Sequence, residues 1–181
     1  MVINMKQNNK KRIDKRVVVP FCVCVLLVAI LAGAIIWSEM TELDHFAEQY
    51  ATALLQNDPS AVYSMYTPEA ISYLLRETEL TEKDMRSNLS HKMSLWVRKN
   101  VTDKTGALTD MEASLISKQN VPKETVEELE TNFGVHAQSA KCLTVSYHAE
   151  GGKGSQDGEM TVYAVKISGN WYLYDLQMLL E

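Results

Sequence analysis

The sequence predicts an α+β fold, helices first and sheet after, behind a single N-terminal transmembrane helix. Three observations predict it. Positions 17 to 37 run for twenty-one residues without a charge. Between Leu43 and Val97 the apolar residues recur at spacings of three and four, the period of a helix with one buried face. After Cys142 they alternate with polar residues, the period of a half-buried strand.

The uncharged run is Val17–Trp37. A helix rises about 1.5 Å per residue, so this run matches the ~30 Å apolar core of a bilayer. Pro20 falls in its first turn, where a missing N–H costs nothing, and Trp37 closes it with a ring suited to the interface. Lys6, Lys10, Lys11, Arg12, Lys15 and Arg16 precede the run against Asp14 alone, whereas Glu39, Glu42 and Asp44 follow it. Basic residues favour the cytoplasmic side. The expected organisation is a basic cytoplasmic tail over 1–16, a transmembrane helix over 17–37, and an extracytoplasmic domain over 38–181. Ala32-Gly33-Ala34 has the small-x-small form of a signal-peptidase site. Ile35, Ile36 and Trp37 carry the apolar run past it, so the reading adopted is an uncleaved signal-anchor and a single-pass protein of the cell membrane.

Beyond the anchor the chain holds 12 Lys and Arg against 22 Asp and Glu. That acidic balance repels phosphate backbones, and no nucleic-acid partner is expected. Cys142 stands alone outside the anchor, so no internal disulfide is expected. His45, His91, His136 and His148 lie apart, without a second His or a Cys at ligand spacing, and no metal or cofactor is expected.

The first helix of the domain is predicted over 38–57, with Leu43, Phe46, Tyr50 and Leu54 inward and Ala47 and Ala51 on the same face. Asp58-Pro59 and Thr67-Pro68 each pair a capping side chain with a proline at the first helical position, which predicts two further short helices. Thr81-Glu82-Lys83-Asp84 reads as a capping box for a fourth helix, with Met85, Leu89, Met93, Trp96 and Val97 apolar. Residues 102–106 read as a loop, and 111–119 fit a strand or a short helix. Pro122 opens a helix with Val126, Leu129 and Phe133 inward, and Gly134 is placed to end it. Three antiparallel strands then follow: one through Leu143, Val145 and Tyr147, one through Tyr163, Val165 and Ile167, and a last one through Trp171 and Leu173. The stretch Gly151–Gly158 connects the first two, and Ser168-Gly169-Asn170 supplies the second turn. The helices are expected on one sheet face.

A first helix ending in Leu54-Leu55-Gln56-Asn57-Asp58, a short helical pair, and the closing Val165-Lys166-Ile167-Ser168-Gly169-Asn170-Trp171-Tyr172-Leu173 together resemble the nuclear transport factor 2-like superfamily. A helix from Pro122 set between strands is similar to its secreted or membrane-bound members in Gram-positive bacteria. The resemblance covers most of residues 41–178. It implies a cone-shaped domain, a bent antiparallel sheet wrapped around the first helix, whose mouth holds a ligand in some members. It also implies that Trp171 and Leu173 face into the cone, and strand alternation would place Asp175 beside them.

The superfamily includes ketosteroid isomerases and dehydratases, which need a carboxylate or His facing a Tyr in an apolar pocket. Asp175, His148, Tyr50 and Tyr66 are the residues of those types here, but they form no recognisable enzyme motif. With Trp171 and Leu173 they are instead the candidates for lining a ligand pocket. The expected function is a non-catalytic, membrane-tethered domain that binds a partner protein or small ligand at the cell surface, with a protein partner or self-association there in view. Conjugation and type IV secretion machines use scaffold subunits of the same layout, which is the alternative. A small isomerase- or dehydratase-like enzyme is the third reading.

Overall fold

Where the capping residues and apolar periods stand, helices form. The computed structural model describes residues 41–180. The tail 1–16, the run Val17–Trp37 and the predicted start of the first helix at 38 lie outside the described residues. The first helix, α1, is seen over 41–55. Asp58 accepts from the amides of Ser60 and Ala61 to cap α2 (Pro59–Ser64), and Thr67 accepts from Ala70 to cap α3 (Pro68–Glu77). Removing such a cap costs about 1 kcal/mol. Thr81 and Asp84 form the reciprocal capping box of α4 (Glu82–Val97). Among the described residues no helix is long and apolar enough to cross a membrane.

Past α4 the chain departs from the loop predicted at 102–106. It widens into one π-helical stretch, Arg98–Thr102, and tightens again into α5, Asp103–Thr105, before Gly106 ends it at φ 76°. Burial and one local hydrogen bond hold this stretch. Val101 is fully buried, and the Thr105 hydroxyl donates to the Val101 carbonyl at 3.2 Å.

The sheet has four strands rather than three. They are β1 (Leu108–Asn120), β2 (Ala137–Gly151), β3 (Gly154–Ile167) and β4 (Asn170–Leu173), and they lie in chain order with every neighbour antiparallel. The undecided stretch 111–119 is thus the edge strand β1. Met111, Ala113 and Leu115 turn toward the core, and a bulge pushes Ile116 out to 53% exposure. The stretch expected to be a glycine-rich connection is mostly strand, with only Gly152 and Lys153 outside the ladder. This hairpin tip is tied down by donation from the Lys153 amide to the Thr105 carbonyl at 2.8 Å. Between β1 and β2 runs α6 (Lys123–Phe133), which ends at Gly134 in the left-handed region.

Helices cover both faces of the sheet, not one. The principal core joins the predicted face of α1 and Met85, Leu89 and Met93 of α4 to Leu143, Val145, Met160, Val162 and Leu173. A second, smaller core lies behind β3. There Leu129 and Phe133 of α6 meet Ala140, Val165 and Ile167. Val165 and Ile167 are of opposite parity to Val162 and Ala164, so alternation alone sends the two sets to opposite faces. After β4 the chain folds back over α4. The Leu176 and Leu179 turn is held by Lys92 Nζ donating to the Gln177 carbonyl at 2.8 Å and by Asn88 Nδ2 donating to the Leu179 carbonyl at 3.2 Å.

Candidate functional site

The six residues singled out in the sequence fall in three places. Tyr50, Tyr66, Leu173 and Asp175 come together at the end of β4. Leu173 pairs as an isolated parallel bridge with Tyr66, and its amide donates to the Met65 carbonyl at 2.8 Å. The Tyr66 hydroxyl donates to the main-chain carbonyl of Asp175 at 3.0 Å. Burial raises both phenols, Tyr50 to about 12 and Tyr66 well above the ordinary 10, and the negative charge of Asp175 adds to the rise in each. Both therefore remain neutral donors across the physiological range. Asp175 does not continue the strand face of Trp171 and Leu173 as alternation implied, because β4 ends at Leu173. Its carboxylate instead accepts from the Gln177 amide at 3.0 Å.

Trp171 packs partly buried against the principal core, and its indole N–H is buried without a hydrogen-bond partner among the described residues. It borders a groove of about 300 Å³ shared with Glu42, His45, Phe46 and Gln49 of α1. Lys166, its partner in the β3–β4 ladder, stands 5.7 Å from its ring and 3.5 Å from the Glu42 carboxylate.

His148 lies on the polar side of the sheet. Its Nδ1 is 2.6 Å from Asp157, its partner on β3, and its Nε2 is 3.2 Å from Glu150. These two contacts, Asp157 first, raise the imidazole above the ordinary 6.5. Glu112, Ser114, Ser146 and Glu159 complete a shallow polar depression there.

The interior that the first helix and the sheet enclose is filled. Met85, Leu89, Met93, Leu143 and Leu179 have no exposed surface, and Tyr50 and Tyr66 occupy the space beside them. The more apolar opening is on the outside, between α6, β3 and the segment after β4. This groove of about 470 Å³ is lined by Tyr73, Phe133, Tyr163 and Tyr174 among others, with Glu128 and Asp175. The Tyr163 and Tyr174 rings stand 5.6 Å apart and tilted, and Tyr73 and Phe133 pair at 5.8 Å. Burial, with a smaller contribution from the neighbouring Cys142, pushes the Tyr174 phenol up to about 12. Cys142 itself is partly exposed.

Of this groove the sequence reading had only Asp175. The missed signal is the stretch from Met160 to Ile167, where apolar side chains occur at both parities. A strand covered on one face alternates, and one covered on both does not. No family model matches the chain, and neither a curated protein nor a solved structure matches it.

Proposed function

We propose that residues 38–181 form a non-catalytic binding domain of the nuclear transport factor 2-like type, held outside the cell membrane by the helix Val17–Trp37 with the N-terminus in the cytoplasm. The observation that carries this reading is the filled interior. An isomerase or dehydratase of this type works inside the cone, with an acid or base facing a substrate cavity. Here that volume holds Leu179, Tyr50 and Tyr66, and the Tyr66 hydroxyl is engaged by a backbone carbonyl. The grooves described above open to the outer surface, where partners and ligands have access.

The placement is tested on intact cells or protoplasts expressing the chain with a tag at each end. External protease should remove the C-terminal tag and spare the N-terminal one. The reverse pattern overturns the topology, and a mature N-terminus at Ile35 replaces the anchor by a cleaved signal peptide. Recovery from the membrane in a fixed complex with several envelope subunits would move the protein to the scaffold reading.

A further inference from the structure

We infer that the aromatic groove between α6, β3 and the segment after β4 is a binding site for a small organic cation of the quaternary ammonium class. The inference rests on the reading of this domain as a binding module and names its ligand chemistry. Four features point to it. The groove of about 470 Å³ lies within the 300–1,000 Å³ range of small-ligand sites. Four aromatic rings are among the residues lining it, and an aromatic ring carries partial negative charge over its face. The charged residues lining it are Glu128 and Asp175, with no Lys, Arg or His among them. An anion would therefore meet repulsion, and a neutral apolar ligand would bury two carboxylates without compensation.

The fourth feature is a cation the protein itself places beside these rings. The Arg76 guanidinium stands 5.8 Å from the centre of the Tyr73 ring and reaches the Asn132 carbonyl at the rim of the groove. The Arg76 charge is itself balanced by Glu77 at 3.2 Å, so Tyr73 holds a cation without leaving a net positive charge at the rim. Methylated ammonium groups suit such a place because they are weakly hydrated and have no N–H to satisfy, so aromatic faces replace their water at little cost.

Tetramethylammonium and choline are the probes, titrated into the full-length chain in detergent with sodium chloride as the matched control. Binding is read by calorimetry and by the tyrosine ring signals in NMR. Saturable binding that moves Tyr163 and Tyr174 is expected. Tyr163→Ala should weaken it about fivefold or more, Glu128→Gln should also weaken it, and Tyr163→Phe should retain it because the ring face remains. Tyr163 is 37% exposed, so these substitutions leave the core untouched. The neutral isostere 3,3-dimethylbutanol should bind at least fivefold more weakly than choline. Equal binding of the alcohol and the ammonium would overturn the cationic class while leaving a ligand groove. A folded chain whose tyrosines respond to neither would remove this groove from the binding-module reading altogether.

Discussion

The hydroxyl of Tyr66 donates to the carbonyl of Asp175 across 3.0 Å and 109 positions of sequence. This bond joins the turn between α2 and α3 to the chain just past the last strand. Beside it the Leu173 amide donates to the Met65 carbonyl, so a backbone bond and a side-chain bond close the same seam.

Tyr66→Phe should therefore cost about 1 kcal/mol, with the buried ring retained and one carbonyl left without its donor. Chemical denaturation of the variant and the parent measures it. A variant as stable as the parent would mean that water replaces the hydroxyl and the seam is wet.

Gly158 faces Tyr147 across the β2–β3 ladder, and a Cβ there would come 2.4 Å from the Tyr147 oxygen and 2.5 Å from its ring. The ring cannot swing aside freely, since it is buried and packs edge-on against Trp96 at 5.8 Å. Gly158→Ala should destabilise the fold by about 1–3 kcal/mol through overpacking. In a Tyr147→Ala background the same substitution should cost clearly less, and equal costs in both backgrounds would refute the clash.

Leu179 is fully buried against the principal core although it lies beyond the last strand. Leu179→Ala should cost about 2–5 kcal/mol, the range for a buried leucine. Asn88→Ala, which removes the bond to the Leu179 carbonyl at 3.2 Å, should cost about 1 kcal/mol. Thermal unfolding separates the two, and a neutral Leu179→Ala would show that the segment after β4 rests on the core without filling it.

His148 gives the fold a pH signature of known sign. Its pKa is raised above the ordinary 6.5 by Asp157 and then Glu150. Its contribution to stability is thus fully present below the unfolded value and is lost as pH rises through the folded one. NMR titration of the ring should give a midpoint above 6.5, and Asp157→Asn should lower it. A midpoint at or below 6.5 in the parent would mean that the contact at 2.6 Å does not persist in solution.

The helical half was legible because its signals are local. Asp58, Thr67 and the Thr81–Asp84 box act on amides two or three residues away, and each caps the helix that follows it. The strand β1 was not legible, because Met111, Ala113 and Leu115 alternate with Glu112, Ser114 and Ile116 too weakly to exclude a helix. Its conformation is fixed by pairing with β2. The helical turns over 98–105 were missed for a similar reason, since Val101 and Thr105 are held by burial and not by propensity. For the candidate site, strand alternation was extended from Leu173 to Asp175, but the ladder stops first. The aromatic groove was invisible because its rings come from α3, α6, β3 and the segment after β4, which only the tertiary fold brings together.

The closing role of the segment after β4 also sets a timetable. As the chain emerges from a ribosome, α1 to α4 come first, with Met85, Leu89 and Met93 facing outward until their cover exists. The long β2–β3 hairpin can zip early, because its strands adjoin in sequence and need only a two-residue turn. The seam at Tyr66 and the burial of Leu179 cannot form until residues 173–179 have been made. Until that moment the apolar surface that Leu179 covers stays open to solvent. A domain closed by its last segment cannot lock early, whatever its helices and hairpin have already formed.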